Sequence, residues 1–353
     1  MIPSNPQLTR LADAASVLLF GGDDDRRSRA ALASLDRLFR DISGLRENTV
    51  NPSDHSATSL LAGSAISPQD AGRCLLDARR TAVYLRGVHG AIQEAQQRFP
   101  GEVIHVLYAG CGPFAPLCLP LLPLFVGQSV RFTLLDVHAR AIESVRAIMA
   151  ALRLEGANVD CLVCDATHYH TPDHRPLHVV VSEAMQRALE KEPQVAILMN
   201  TAPQLTAGGL MVPEMIAVDA VLTDLSQELG GNDVVAQPWS GRIPLGRILE
   251  VDRERACAWA AAGISSHLPP ARIALPSVVA AEYSLVLATT IRTFGVHVLR
   301  EYESGLTHPL MVNGWRTGEE AEFTYRLGKK PGFHLERTRH QDGRAATANS
   351  SNA

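Results

Sequence analysis

VVVSEAMQRALEKEPQ, residues 180–195, runs from β-branched apolar residues straight into Glu183, Glu190 and Glu192. Carboxylates gathered this tightly at the end of a buried run call for a cation. Glu183 and Glu190, seven residues apart, would share one face of a helix, with Arg187 and Lys191 as partners on a solvated acidic surface. Glu183 and Glu192, nine apart, would point to opposite sides of an unbroken helix, because each residue turns it by about 100°. Those two can grip one ligand only if the segment folds back on itself.

A second set of polar residues falls at the ends of other apolar runs. VLYAGCGPFAP carries Gly110 and Gly112, which allow a sharp turn and a close approach of backbone to ligand. The next glycine is Gly127, so the GxGxxG fingerprint of a pyrophosphate site is missing, and a tight turn without a ligand would read the same. VRFTLLD ends in Asp136, where an acid can accept both hydroxyls of a ribose. CLVCDATHYH brings Asp165 and Ala166 to the same crevice, where the acid can accept from an adenine amino group. Each aspartate singly could cap the following helix. Three such features at successive strand ends, without a diphosphate signature, point to an adenosyl ligand, S-adenosylmethionine.

The elements that must hold these residues are legible from periodicity. VIHVLYA, VRFTLLD, VDCLVCD and LHVVVSE read as strands buried on both faces, and HARAIESVRAIMAALRL between the second and third reads as a helix. Strand and helix alternating in this way predict an α/β fold, a Rossmann-like parallel sheet with its ligand site at the carboxyl ends of the strands. Upstream, SAISPQDAGRCLLDARRTAVYLRGVHGAIQEAQQRF reads as one long helix, with Ser67 as cap and Pro68 in the first turn. Residues 1–65 read as a helical extension, 66–212 as the ligand-binding domain, 213–335 as a smaller β-rich domain that includes one helix over RERACAWAAAG, and 336–353 as a disordered polar tail.

Composition narrows the function classes. A net charge of −4 offers no basic field for nucleic acid. The longest apolar run, near residues 118–126, is short and broken by Pro120 and Pro123, so no membrane span is expected. MIPSNPQLTR lacks a signal pattern and six cysteines spread over 353 residues suit reduced thiols better than a disulfide scaffold, so a cytoplasmic protein is expected. His168, His170, His174 and His178 crowd one segment but fit no zinc spacing, and Cys161 and Cys164 have no second CxxC to complete a site, so no metal is expected.

Together with LLDARRTAVY upstream and SEAMQRALEKE downstream, these features resemble the protein arginine methyltransferases of the class I, S-adenosylmethionine-dependent type. The resemblance covers roughly residues 67–330. It matches the family's Asp-x-x-Arg-Thr-x-x-Tyr signature with Asp77, Arg80, Thr81 and Tyr84, and implies that Arg80 holds the cofactor carboxylate. On a helix Asp77, Arg80 and Tyr84 would share one face and look into one pocket, Tyr84 toward the substrate; a surface ion pair is the plainer reading. The family's Ser-Glu-x-Met loop, closed by a second glutamate nine residues on, is matched by Glu183, Met185 and Glu192, which implies that two glutamates receive a guanidinium. Its Thr-His-Trp loop is matched by Thr307 and His308, implying that His308 pairs with Asp77 and assists proton transfer.

Departures from that pattern refine the expectation. Pro309 stands where the family has tryptophan, ATSLLAGSAISP replaces a Tyr-Phe-x-x-Tyr segment, and the chain after Glu214 leaves little room for a full barrel and a dimerisation arm. The resemblance then implies a reduced β-barrel-like domain and a small guanidine substrate such as free L-arginine, as in the bacterial free-arginine methyltransferases of nitrosourea biosynthesis. A protein arginine methyltransferase acting on peptides is the nearest alternative, and a non-catalytic S-adenosylmethionine-binding partner the next. Residues 1–65 are expected to replace the missing arm as the contact of a homodimer.

Overall fold

Local signals set the first elements of the computed structural model, which describes residues 5–22, 24–46, 51–125, 127–154, 158–229 and 236–338. Asn5 caps α1 (Pro6–Phe20) and Asp24 caps α2 (Asp25–Ser43), which ends at Gly44 in the left-handed conformation. The stripe Leu32, Leu35, Leu38 and Phe39 buries one face of α2 against the rest of the chain. A short helix α3 (Pro52–His55) leads into a hairpin of β1 (Thr58–Leu60) and β2 (Gly63–Ala65), where the sequence suggested helix and polar loop.

The long helix expected from residue 67 is broken. Ser67 caps α4 (Pro68–Arg73), a 3₁₀ turn follows at Cys74–Leu76, and Asp77 in an extended conformation caps α5 (Ala78–Arg98). Its carboxylate accepts the Arg80 N–H at 3.1 Å, so Asp77 stands at the head of α5 rather than on its face.

Five parallel strands follow: β3 (Ile104–Ala109), then the short α6 (Leu122–Phe125), β4 (Val130–Asp136), α7 (Ala139–Leu152), β5 (Val159–Val163), β6 (Leu177–Ser182), α8 (Gln194–Thr201) and β7 (Leu205–Val212). Their order in the sheet is β5-β4-β3-β6-β7. Every residue of β3 and β6 is buried, as strands covered on both faces require, whereas Leu162 and Val163 on the edge strand β5 are exposed. The order reverses between β3 and β6, and a ligand is expected outside the carboxyl ends of the strands at such a switch point.

The rest of the chain is largely antiparallel β: β8 (Met215–Thr223), the short α9 (Leu225–Leu229), β9 (Ile243–Asp252), α10 (Arg253–Ala261), β10 (Ala271–Ala274), β11 (Ser284–Phe294), β12 (His297–Leu299), β13 (Leu310–Val312), β14 (Glu320–Arg326) and β15 (Gly332–Thr338). One sheet runs β12-β11-β8-β9 with β13 beside β11, the other β10-β14-β15. Of the polar tail expected over 336–353, residues 336–338 extend β15 and the remainder lies outside the described residues. Among the described residues no helix is long and apolar enough to cross a membrane, and no cluster of three His, Cys, Asp or Glu side chains could hold a metal ion.

Candidate active site

A cleft of about 880 Å³, open mouth included, lies over the carboxyl ends of β3, β4, β5 and β6. Gly110 (φ 73°) and Gly112 (φ 65°) form its floor after β3, a backbone course that side chains resist. The Gly112 N–H donates to Asp136 Oδ2 at 2.8 Å, so the turn and the end of β4 are locked together. The other oxygen, Oδ1, accepts the His138 N–H at 2.9 Å and stands 3.2 Å from His138 Nδ1. A carboxylate offers about four lone-pair sites, so Asp136 retains acceptor capacity toward the cleft.

Asp165 and Ala166 reach the cleft from the end of β5. Oδ1 of Asp165 accepts both the N–H and the hydroxyl of Thr167, at 2.9 and 2.7 Å, while Oδ2 lies 3.6 Å from His168 Nδ1. The Asn200 amide holds the segment by donating to the carbonyls of Ala166 and Tyr169, each at 2.9 Å.

The segment after β6 folds back. It makes only a single 3₁₀ turn at Arg187–Leu189, and Ala188, Leu189 and Lys191 adopt positive φ. Contacts from elsewhere in the chain hold this course. Ala188 N–H donates to Thr289 Oγ1 at 3.1 Å, the Tyr325 hydroxyl donates to the Leu189 carbonyl at 2.8 Å, and Lys191 N–H donates to the Pro331 carbonyl at 3.0 Å. Gln194, fully buried, closes the base: its Oε1 accepts from the Ser182 hydroxyl and the Ala184 N–H, and its amide donates to the Ser182 carbonyl. Nothing in the sequence pattern marks Gln194, because a staple between positions twelve apart has no local signature.

The reversal puts Glu183, Met185 and Glu192 in the wall of one cleft. Arg80, on the first turns of α5, enters the same cleft and ion-pairs with Glu183. The Oε1 atom of Glu183 is buried without a hydrogen-bond partner. Burial opposes the Arg80 charge, but the Cys74 thiol and the Asp77 carboxylate nearby hold its pKa above the ordinary arginine value. Glu192 is 6% exposed, and burial raises its pKa against the opposing pull of a Gln186 hydrogen bond and the Arg80 and Lys191 charges. Glu190 is the solvated acid of the segment, 3.7 Å from both Arg187 Nε and Lys191 Nζ.

Three expected positions differ. Tyr84 is buried in the core, does not line the cleft, and its hydroxyl has no hydrogen-bond partner; burial raises its pKa against the opposing pull of the Arg80 charge. Asp77 does not pair with His308: its Oδ2 accepts the Ser304 hydroxyl at 2.7 Å and the Gly305 N–H at 3.2 Å. The cause is the capped 3₁₀ turn at Gly305–Thr307, which turns Thr307 inward and leaves His308 exposed, its ring against Tyr302.

No family model and no curated protein matches this chain. Among solved structures it is similar to a Trypanosoma brucei PRMT1 enzyme–prozyme heterotetrameric complex with AdoHcy, at 16% identity and a TM-score of 0.46, over 76% of this chain and 97% of that one.

Two further contributors to the cleft escape a reading by motif. His138 lies two residues beyond the expected acid Asp136, and Leu60, Ala65 and Ile66 come from the β1–β2 hairpin and the residue after it. The cysteines Cys74, Cys111 and Cys164 also face the cleft, and burial raises the pKa of Cys111 so that it stays a neutral thiol.

Proposed function

We propose that the protein is an S-adenosylmethionine-dependent N-methyltransferase acting on the guanidinium of free L-arginine or a related small guanidine. The observation that carries this reading is the chain reversal that brings Glu183 and Glu192 into one cleft with Arg80, beside two strand-end aspartates. A flat cation with several N–H donors answers two such carboxylates, and Glu183 already receives one guanidinium, that of Arg80.

The cleft fits the cofactor by donor chemistry. Arg80 would hold a carboxylate, Asp136 a ribose and Asp165 Oδ2 an adenine amino group, over the backbone of Gly110 and Gly112. Once bound, S-adenosylmethionine supplies an electrophilic methyl on a sulfonium. The chain itself aligns the nucleophile and manages the proton. Glu183 and Glu192 bind the guanidinium from two sides and draw its charge toward the nitrogens they hold, leaving the remaining terminal nitrogen richer in electrons. Glu192, whose burial makes it the more basic of ordinary carboxylates, takes the proton released. A relay through Asp77 and His308 finds no support, since Ser304 and Gly305 occupy the Asp77 carboxylate.

Mass spectrometry of L-arginine and an Arg-Gly-rich peptide, each incubated with enzyme and S-adenosylmethionine, tests this reading. Methylated free arginine is expected. Methylation of the peptide alone would replace the reading with the peptide enzyme, and binding of cofactor without any methylated guanidine would replace it with the non-catalytic partner. The reading includes a homodimer contact in residues 1–65, where Phe20 is 69% exposed; a monomer mass for the full chain in light scattering removes that part.

A further inference from the structure

The β1–β2 hairpin touches both halves of the cleft. At one end the Thr58 hydroxyl lies 3.0 Å from His138 Nε2. A carboxylate can only accept, so His138 Nδ1 carries a proton toward Asp136, and Nε2 is the ring atom that pairs with the Thr58 hydroxyl. At the other end Ser64 N–H donates to the Lys191 carbonyl at 2.9 Å, with the Ser64 hydroxyl 3.3 Å from the same oxygen. Gly63 lies flat against that segment: a Cβ there would come within 2.9 Å of the Lys191 oxygen, 3.0 Å of the Pro193 nitrogen and 3.1 Å of the Glu192 carbonyl carbon, at a φ of 148°. The hairpin therefore spans from the aspartate at the end of β4 to the backbone that carries Glu192.

Strands of three residues joined by a two-residue loop have little stability of their own. Their position is set by what they touch. Before the hairpin, Asp54 accepts from Arg140 Nε of α7 at 2.9 Å, and after it Ser67 caps α4, so its base is pinned.

We infer that Thr58 and His138 are positioning residues for Glu192: through the hairpin, what happens at Asp136 is passed to the backbone of residues 191–193. This rests on the reading of the Asp136 end as the cofactor's and of Glu192 as the guanidinium's. A ligand that engages Asp136 fixes His138, His138 fixes Thr58, and the hairpin then presses Gly63 and Ser64 onto the Glu192 segment. Cofactor and guanidine consequently bind with positive coupling.

The test uses the full chain with S-adenosylhomocysteine and L-arginine as probes. Calorimetry gives the affinity of each, and hydrogen exchange follows residues 184–193. In the unaltered chain S-adenosylhomocysteine is expected to protect residues 184–193 and to tighten L-arginine binding. Thr58→Val, which keeps shape and removes the hydroxyl, should retain S-adenosylhomocysteine affinity within about threefold, lose that protection, and weaken L-arginine by about tenfold, the order of one lost hydrogen bond. Thr58→Ser should restore both. Gly63→Ala should weaken L-arginine by a similar factor, and because both variants cut one path the double variant should be no worse than the poorer single. Full protection of 184–193 in Thr58→Val, or additive losses in the double variant, would overturn the hairpin's role while leaving the methyltransferase reading in place. An unaltered chain that fails to bind S-adenosylhomocysteine would end both.

Discussion

Two pairs of acids share one cleft and are built differently. Asp136 and Asp165, at strand ends, are engaged by their immediate neighbours: Gly112 and His138 for the first, Thr167 for the second. Short hydrogen bonds fix each carboxylate before any ligand arrives. Glu183 and Glu192 sit on a segment whose course is set from other parts of the chain, and their side chains are almost fully buried: Glu183 pairs with Arg80 through one oxygen and keeps the other orphaned, and Glu192 has a pKa raised by burial. The first pair is suited to recognising hydroxyl and amino groups. The second holds unspent electrostatic demand, and a cation is what meets it.

Within the second pair the two glutamates differ again, and that difference gives the largest predicted effect. Changing Glu183 or Glu192 to glutamine should lower methyl transfer by about 10²–10⁴-fold, with S-adenosylhomocysteine affinity little changed in Glu192→Gln. Their stabilities should diverge. Glu183→Gln strips Arg80 of its ion-pair partner and should cost about 3–5 kcal/mol. Glu192→Gln should raise Tm at neutral pH. The sign follows from linkage: the folded state holds the Glu192 proton to higher pH than the unfolded chain, so stability falls as pH rises from the unfolded pKa toward the folded one, and the amide removes that penalty. For the same reason turnover should climb with pH through the raised Glu192 pKa, and this limb should vanish from the residual activity of the variant. Denaturant melts at several pH values and initial rates check both. Equal stability losses in the two variants would break the distinction.

Arg80 links the two pairs. Arg80→Ala leaves Glu183 buried without its cation and should cost about 3–5 kcal/mol in stability. It should also weaken S-adenosylhomocysteine by about 10–100-fold in calorimetry, because a carboxylate would lose a charged partner. An unchanged affinity would remove Arg80 from the cofactor's end of the cleft.

The contrast between the pairs also explains what the sequence could disclose. Asp136 and Asp165 were legible because they close apolar strands, and the switch from strand to helix spacing places them in register without long-range information. Glu183 and Glu192 were legible only as a resemblance and a spacing. Their reversal needs positive φ at Ala188, Leu189 and Lys191, none of them glycine or asparagine, and is imposed by Thr289, Tyr325 and Pro331 from a hundred or more residues away. The hairpin was hidden for a similar reason: LLAG carries no Asn-Gly signal and its strands are too short to alternate. Asp77 misled because apolar spacing continues through it, although Asp77 three residues before Arg80 has the position of a cap as well as of a helix face.

Gln194 tests whether the folded-back segment is held mainly at its base. With Gln194→Ala, the Ser182 hydroxyl and Ala184 N–H lose their acceptor in a fully buried place, which should cost about 1–3 kcal/mol. Since Glu192 depends on that base and the strand-end aspartates do not, L-arginine affinity should fall while S-adenosylhomocysteine affinity stays. A parallel fall in both would show that the two acid pairs are not positioned independently at this point.

The smallest effects come from the residues first expected to form a pair. Asp77 caps α5 and binds Ser304 and Gly305, so Asp77→Ala removes a cap and a tie to the loop before β13, and about 1–2 kcal/mol of stability should go with it. His308 is exposed and touches mainly the Tyr302 ring, so His308→Ala should change stability by less than about 0.5 kcal/mol and leave the rate and its pH profile unaltered. If the two residues worked together, the double variant would lose no more than the worse single; if the Ser304 contact is the real partner, the losses of Asp77→Ala and His308→Ala add, while those of Asp77→Ala and Ser304→Ala do not. Thermal melts of these five variants against the unaltered chain decide between a proton-handling pair and a structural seam that joins α5 to the loop before β13.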